Sequence, residues 1–380
     1  MKKCIEGSRA VADVVRLCRP AVISAYPITP QTHIVEDLAK FAADGKGGFE
    51  FVRSESEFAA ASIVLGAGAT GVRTYTATSS QGLLLMTEVL FTIAGMRLPV
   101  VLTCANRAVA APINIWNDQQ DSMTVRDSGW IMLYGEDNQE VVDLHILAFK
   151  IAEQTRIPVM VNMDGFVLTH TFEPVDVPSE KEIKKFLPAY KVEKGQFLDV
   201  SDPKSLGTFA TPDDYMAIRE DLSKDILASK GLIKKELREF KKLFGRGSAD
   251  LVEYYGDKNA KTVFVAMGSV VGTIKDAVDE MNKAGQKVAV LKVKCFRPFP
   301  AEEILKKLSK AKNVAILDKS ISLGNEGILA TEIKAAVGNN LKAKLQSFVV
   351  GLGGRDITKK MVKDIAKKVK IGNGNLTFVK

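Results

Sequence analysis

Three short polar segments hold residue types from which a reaction centre can be built. Ala25-Tyr26-Pro27-Ile28-Thr29-Pro30-Gln31-Thr32 carries a hydroxyl between two prolines, whose fixed φ would hold Thr29 at little entropic cost. Ser54-Glu55-Ser56-Glu57 supplies carboxylates, and Ala105-Asn106-Arg107-Ala108 supplies a guanidinium whose planar fork matches a carboxylate. Together they could activate a cofactor and hold a small carboxylate substrate. Each residue also has a plainer reading. Glu57 could be stabilised by free amides at a helix start, Arg107 could sit in a surface ion pair, and Thr29 could be a turn residue.

Each segment follows a short apolar run, so each falls where an α/β sheet opens its binding crevice. Ala21–Ala25, Phe49–Val52, Thr74–Ala77, Val100–Cys104 and Val159–Asn162 read as buried strands. Helical patterns over Ile34–Ala43, Phe58–Leu65, Gln81–Met96 and Glu140–Thr155 lie between them. Gln81–Met96 starts after Ser79-Ser80, ends by Gly95 and Pro99, and is apolar almost all round, which implies burial on both sides. This alternation predicts a mostly parallel, doubly covered sheet over 1–170. Prolines at 174, 178, 188, 203 and 212 then punctuate an irregular arm, and Pro212-Asp213-Asp214 opens a long charged helix. With that helix the arm spans 171–260. A second α/β unit is expected over 261–380, with strands at Thr262–Met267, Lys287–Lys292, Val314–Asp318 and Gln346–Gly351.

Other chemistries are excluded by what the chain lacks. Its four cysteines (Cys4, Cys18, Cys104 and Cys295) stand singly, so neither an iron–sulfur cluster nor a structural zinc site is expected here. The three histidines, His33, His145 and His170, lie far apart in sequence and predict no metal site. Gly66-Ala67-Gly68-Ala69-Thr70-Gly71 matches a dinucleotide fingerprint but precedes a strand and follows a helix, the reverse of what pyrophosphate binding needs. Gly268-Ser269-Val270-Val271-Gly272-Thr273 has the right order, and its amides could hold an anion, but tight turns often look the same. No apolar run reaches the roughly 18 residues of a membrane span, and Met1–Gly7 has no secretory h-region, so a cytoplasmic protein with no membrane contact is expected. Residues 221–380 hold 32 basic against 17 acidic residues, a net +15, leaving −7 on 1–220 of the total +8. Without aromatic–basic interleaving this favours exposed lysine-rich helix faces over a nucleic-acid groove.

The three segments, with Asn114-Ile115-Trp116 and Asp121-Ser122-Met123, resemble the α chain of the multi-subunit 2-oxoacid:ferredoxin oxidoreductases, most closely the pyruvate enzyme. The likeness extends to Cys295-Phe296-Arg297-Pro298-Phe299-Pro300 and to Gly351-Leu352-Gly353-Gly354-Arg355-Asp356. It implies a thiamine-diphosphate pyrimidine-binding domain over 1–170, a connecting arm over 171–260 and a transketolase-C-terminal-like α/β domain over 261–380. By the same resemblance Glu57 bonds the cofactor's aminopyrimidine, with Pro27 and Ile28 beside it, and Thr29 and Arg107 contact the substrate. Glu55 is the nearby rival to Glu57. The implied reaction is pyruvate, CoA and oxidised ferredoxin to acetyl-CoA, CO2 and reduced ferredoxin, or its reverse.

The Gly-Asp-Gly…Asn pattern that holds diphosphate and Mg2+ in such enzymes is missing. The chain therefore reads as half of a site. A β chain is expected to supply diphosphate and Mg2+ binding, and β and a ferredoxin-like δ chain the iron–sulfur clusters, with a γ chain completing the complex. Alternatives stay open: a branched-chain or 2-oxoglutarate relative, a non-catalytic scaffold subunit, or a stand-alone transketolase-like transferase.

Overall fold

The computed structural model describes residues 2–372 and 374–380. A seven-stranded sheet runs in the order Cys295–Arg297, Ile131–Tyr134, Val159–Asp164, Val101–Asn106, Thr74–Thr78, Val22–Ala25 and Glu50–Arg53. All neighbours from Ile131–Tyr134 onward are parallel. The outermost pair is antiparallel, with Cys295 opposite Leu133. Side chains alternate between faces along each strand. Tyr75, Val101, Ala105, Val159 and Val161 face one core with helices Gly7–Leu17, Thr32–Ala43 and Asn138–Thr155. Leu102, Cys104, Met132 and Met160 face another with helices Glu57–Ala69 and Thr87–Gly95. Cover on both faces explains the near-continuous apolar strands.

A second sheet runs Thr377–Phe378, Lys344–Val349, Asn313–Asp318, Thr262–Ala266, Val288–Val293 and Val252–Gly256. Its last pair alone is antiparallel. Helices Ala301–Leu308 and Ile328–Val337 cover one face, and Val270–Lys283 and Lys359–Ile371 the other. The first of these faces is continuous with the neighbouring unit: Val263, Val265, Leu291 and Ile316 belong to the same apolar cluster as Leu90, Leu102 and Met132. The two sheets thus share one interior. Between them Phe172–Val175 turns back to pair with Lys3–Glu6. Helix Pro212–Phe244 follows, sinking Ile233, Leu237 and Phe240 into the first core.

Two features differ from the pattern-based reading. The single helix expected over Gln81–Met96 is two, Ser80–Leu85 and Thr87–Gly95, separated at Met86. Nor is it buried all round: Leu85 and Phe91 are 51% and 40% exposed, because the sheet takes only one side of these helices. Among the described residues no helix is long and apolar enough to cross a membrane.

Candidate active site

A parallel sheet brings the carboxyl ends of its strands to one edge. Five of them end together here, delivering the Tyr26–Gln31 loop, Ser54–Glu57, Ser79–Gly82, Arg107 and Gly165. Ligands of open α/β sheets bind at such an edge.

Glu57 is the first residue of helix Glu57–Ala69, but the capping is done by Ser56, whose hydroxyl accepts from Ala59 N at 3.1 Å. The Glu57 carboxyl is therefore free of the helix end. It is 8% exposed and packs on Gly82, and no donor among the described residues bonds it. A methyl group at Gly82 would overlap Thr78 Oγ1 and fall 2.7 Å from Glu57 Oε1. Thr78 Oγ1 is itself buried without a hydrogen-bond partner. Glycine thus keeps open a small polar cradle between the unpartnered Glu57 carboxyl and the buried, unsatisfied Thr78 hydroxyl, and an unsatisfied buried group such as that hydroxyl marks a place made for a ligand. A ring nitrogen able to hydrogen-bond a carboxyl fits this set. Glu55, by contrast, is exposed.

Arg107 is not a surface ion pair. It is 7% exposed, forms no salt bridge among the described residues, and donates through Nε to Asn114 O at 2.8 Å and through Nη1 to Thr29 O at 2.9 Å. Burial pulls its pKa down, with Asp121 opposing. The guanidinium is fixed by two carbonyls and keeps Nη2 unengaged, an arrangement suited to a substrate carboxylate. Thr29 is exposed on the loop beside it. Pro27 is exposed and Ile28 half-buried, with Ile28 N donating to Gln31 Oε1 at 3.2 Å. Buried Gln31 also donates to Ala77 O at 2.6 Å, tying the loop to strand Thr74–Thr78.

Asp121 organises these loops, and the sequence reading missed its role. Fully buried, it accepts from Ser80 N at 3.0 Å, Arg107 N at 2.9 Å, Asn106 Nδ2 at 2.9 Å and Ser122 N at 2.7 Å. Burial nevertheless holds its pKa above the usual range. The segment then docks on the second unit. Asp118 accepts from Gly353 N at 3.1 Å, Asn114 Nδ2 donates to Gly353 O at 3.1 Å, and Lys319 Nζ bonds both Asn117 Oδ1 and Asp164 Oδ2, the latter at 3.0 Å. Asp118 is pushed up to about 6 by burial, whereas Lys319 and Ser269 outweigh burial at Asp164 and hold it low.

The remaining motifs resolve in the same geometry. The Gly268-Ser269 turn does hold an anion, the chain's own: Ser269 N and Oγ donate to Asp164 Oδ2 at 3.0 and 2.5 Å. Gly268 takes φ +72°, where a side chain would be strained and would strike Gln119 and Asp164. Gly66 and Gly68 lie inside helix Glu57–Ala69, before strand Thr74–Thr78, so no dinucleotide turn forms. His145 is a buried structural residue, bonded to Thr103 and to Val141 O, with burial lowering its pKa to about 4. The separation of His33 and His170 in sequence misled: their rings lie 4.7 Å apart, with Glu6 alongside.

Comparison with known proteins agrees with the fold. Residues 13–237 match the family described as pyruvate flavodoxin/ferredoxin oxidoreductase, thiamine diphosphate-binding, and 260–362 match pyruvate:ferredoxin oxidoreductase core domain II. The chain belongs to the pyruvate:ferredoxin oxidoreductase family. It is 48% identical to the pyruvate synthase subunit PorA of Methanocaldococcus jannaschii, over 99% of this chain and 97% of that one. It is also 44% identical to the ketoisovalerate oxidoreductase subunit VorA of Pyrococcus abyssi, over 97% and 94%. The 2-oxoglutarate:ferredoxin oxidoreductase of Magnetococcus marinus shares its fold, with a TM-score of 0.74 and 22% identity. The match covers 97% of this chain, which spans 65% of that larger one.

Proposed function

We propose that this chain is the α subunit of a pyruvate:ferredoxin oxidoreductase, converting pyruvate and CoA to acetyl-CoA and CO2 with reduction of ferredoxin, or running the reverse reaction. The observation that carries it is the unpartnered Glu57 carboxyl facing the Gly82 cradle, on a chain whose relatives include pyruvate synthase subunits. Thiamine diphosphate, when bound, would supply a nucleophilic carbon and an electron sink for decarboxylation. Glu57 would hydrogen-bond the aminopyrimidine nitrogen, and Pro27 and Ile28 would help hold the ring. Arg107 receives the substrate carboxylate through its free amino group, and the Thr29 hydroxyl orients the keto oxygen. In sequence order the reading assigns 1–170 to pyrimidine binding, 171–260 to a connecting arm and 261–380 to a transketolase-C-terminal-like unit. Strand Cys295–Arg297 crosses that division.

The centre is completed by another chain. This one lacks the Gly-Asp-Gly…Asn pattern for Mg2+ and diphosphate and has no cysteine cluster in its sequence, which supports a β subunit supplying the metal site. Iron–sulfur clusters on β and δ chains and a γ chain then complete the path to ferredoxin. Exposed apolar side chains on the crevice loops, Tyr26, Ile113 and Trp116, suit such a partner. The experiment is Glu57→Gln in the purified complex. Assembly is expected to persist while pyruvate decarboxylation and ferredoxin reduction collapse; near-normal turnover would remove Glu57 from the mechanism and leave a scaffold role. A panel of 2-oxoacids is expected to show pyruvate preferred over branched-chain substrates.

A further inference from the structure

Away from the crevice edge, three elements remote in sequence bring together two imidazoles and a carboxylate. Glu6 ends strand Lys3–Glu6, His33 opens helix Thr32–Ala43, and His170 lies in the turn after strand Val159–Asp164. Their ligand atoms lie within 4.8 Å of one another. Glu6 is the N-cap residue of helix Gly7–Leu17, yet its side chain makes no capping bond; it turns to His33 Nδ1, 2.8 Å away. His170 Nδ1 meets the hydroxyl of Thr169 at 2.7 Å, which leaves Nε2 as its available nitrogen. Thr169 is fully buried and also accepts from Phe166 N at 2.8 Å, so the ring is held from behind while Phe166 stacks on it at 4.7 Å.

We propose that Glu6, His33 and His170 form a binding site for one divalent transition-metal ion of the Zn2+ or Co2+ class. Imidazole and carboxylate are the donors such ions favour, and two histidines with one carboxylate make a recurrent three-ligand set. At Zn–N distances near 2.0 Å, tetrahedral ligands sit about 3.3 Å apart. His33 is 45% exposed, so its side chain has room to move toward an ion. The Thr169 contact acts as the outer support seen behind metal-binding histidines, holding the ring in place. The ion would join the N-terminal strand, the turn at 165–170 and the helix that begins directly after the Tyr26–Gln31 loop. It is independent of the thiamine chemistry.

The test uses the full-length chain, stripped with chelator and titrated with Zn2+ and with Co2+. One equivalent of Zn2+ at micromolar affinity or better is expected, with a Co2+ absorption band in the visible and a metal-dependent rise in Tm. His33→Ala/His170→Ala should abolish all three, and Thr169→Val should weaken binding by roughly 10–100-fold. If the double variant does not fold by circular dichroism, Glu6→Gln carries the same expectation. No binding to the wild-type chain, or binding retained in these variants, overturns the site and leaves a hydrogen-bonded His–Glu pair.

Discussion

Arg107 reaches across the crevice edge to the main-chain carbonyl of Thr29, Nη1 to O at 2.9 Å. The residue that orients the substrate carboxylate in our reading therefore also sets the position of the Thr29 loop, and one side chain couples the ends of the two strands that flank Thr74–Thr78.

That coupling predicts the behaviour of Arg107→Lys. A lysine keeps the charge but cannot serve Asn114 O and Thr29 O at once while offering a third donor. The loss expected is about 2–4 kcal/mol, roughly 30- to 1000-fold in kcat/KM for pyruvate. Steady-state kinetics on the complex check it; a change below a few-fold would contradict the assignment.

Gly82→Ala addresses the cradle. Alanine favours the helix Ser80–Leu85, so the fold should not suffer from propensity. Its methyl would overlap Thr78 Oγ1 and crowd Glu57 Oε1. Overpacking of about 1–3 kcal/mol would lower thiamine diphosphate affinity by roughly 5- to 150-fold. Cofactor titration of the apo complex, alongside Tm, separates this from unfolding.

Lys319→Met tests the seam between the units. Lys319 and Asp164 are 6% and 1% exposed, and removing the cation leaves a buried carboxylate, at a cost of about 3–5 kcal/mol. Thermal or urea denaturation should show this loss. Because Lys319 also holds Asn117, the KM for pyruvate should rise as the 107–119 segment loosens.

Asp318 gives a pH prediction. Burial pushes its carboxyl up to about 7, even though it accepts from Leu329 N at 2.7 Å and Ala330 N at 3.1 Å. Unfolded, an aspartate titrates near 3.9. Between those values the folded state holds a proton that the unfolded state has released, so the contribution of Asp318 to stability is complete below about pH 4 and is lost as pH rises to about 7. The slope should approach 1.4 kcal/mol per pH unit at most. Asp318→Asn should flatten that part of the stability–pH curve, measured by urea denaturation between pH 5 and 8.

The elements that carry the site were legible because the physics behind them is local. Strands covered on both faces leave continuous apolar runs, and Val101–Asn106 and Val159–Asp164 stood out on that basis alone. Polar residues following such runs, Glu57 and Arg107 among them, could be flagged without knowing their neighbours. Asp121 could not. Its importance lies in donors at two other strand ends, Ser80 N and the adjacent Asn106 Nδ2 and Arg107 N, besides its neighbour Ser122 N, and the sequence around it does not announce them. Ile131–Tyr134 was missed, although it is as long as the Phe49–Val52 run that was read as a strand. Glu6, His33 and His170 escaped because their meeting depends on strand Lys3–Glu6 pairing with Phe172–Val175, far along the chain.

The antiparallel strand Cys295–Arg297 bears on how this protein is made. Until residue 297 has left the ribosome, Ile131–Tyr134 waits with an unpaired rim, a template for unwanted association. Fragments cut at the arm would carry the same defect, so expression of the amino-terminal half by itself should give aggregates rather than a working module.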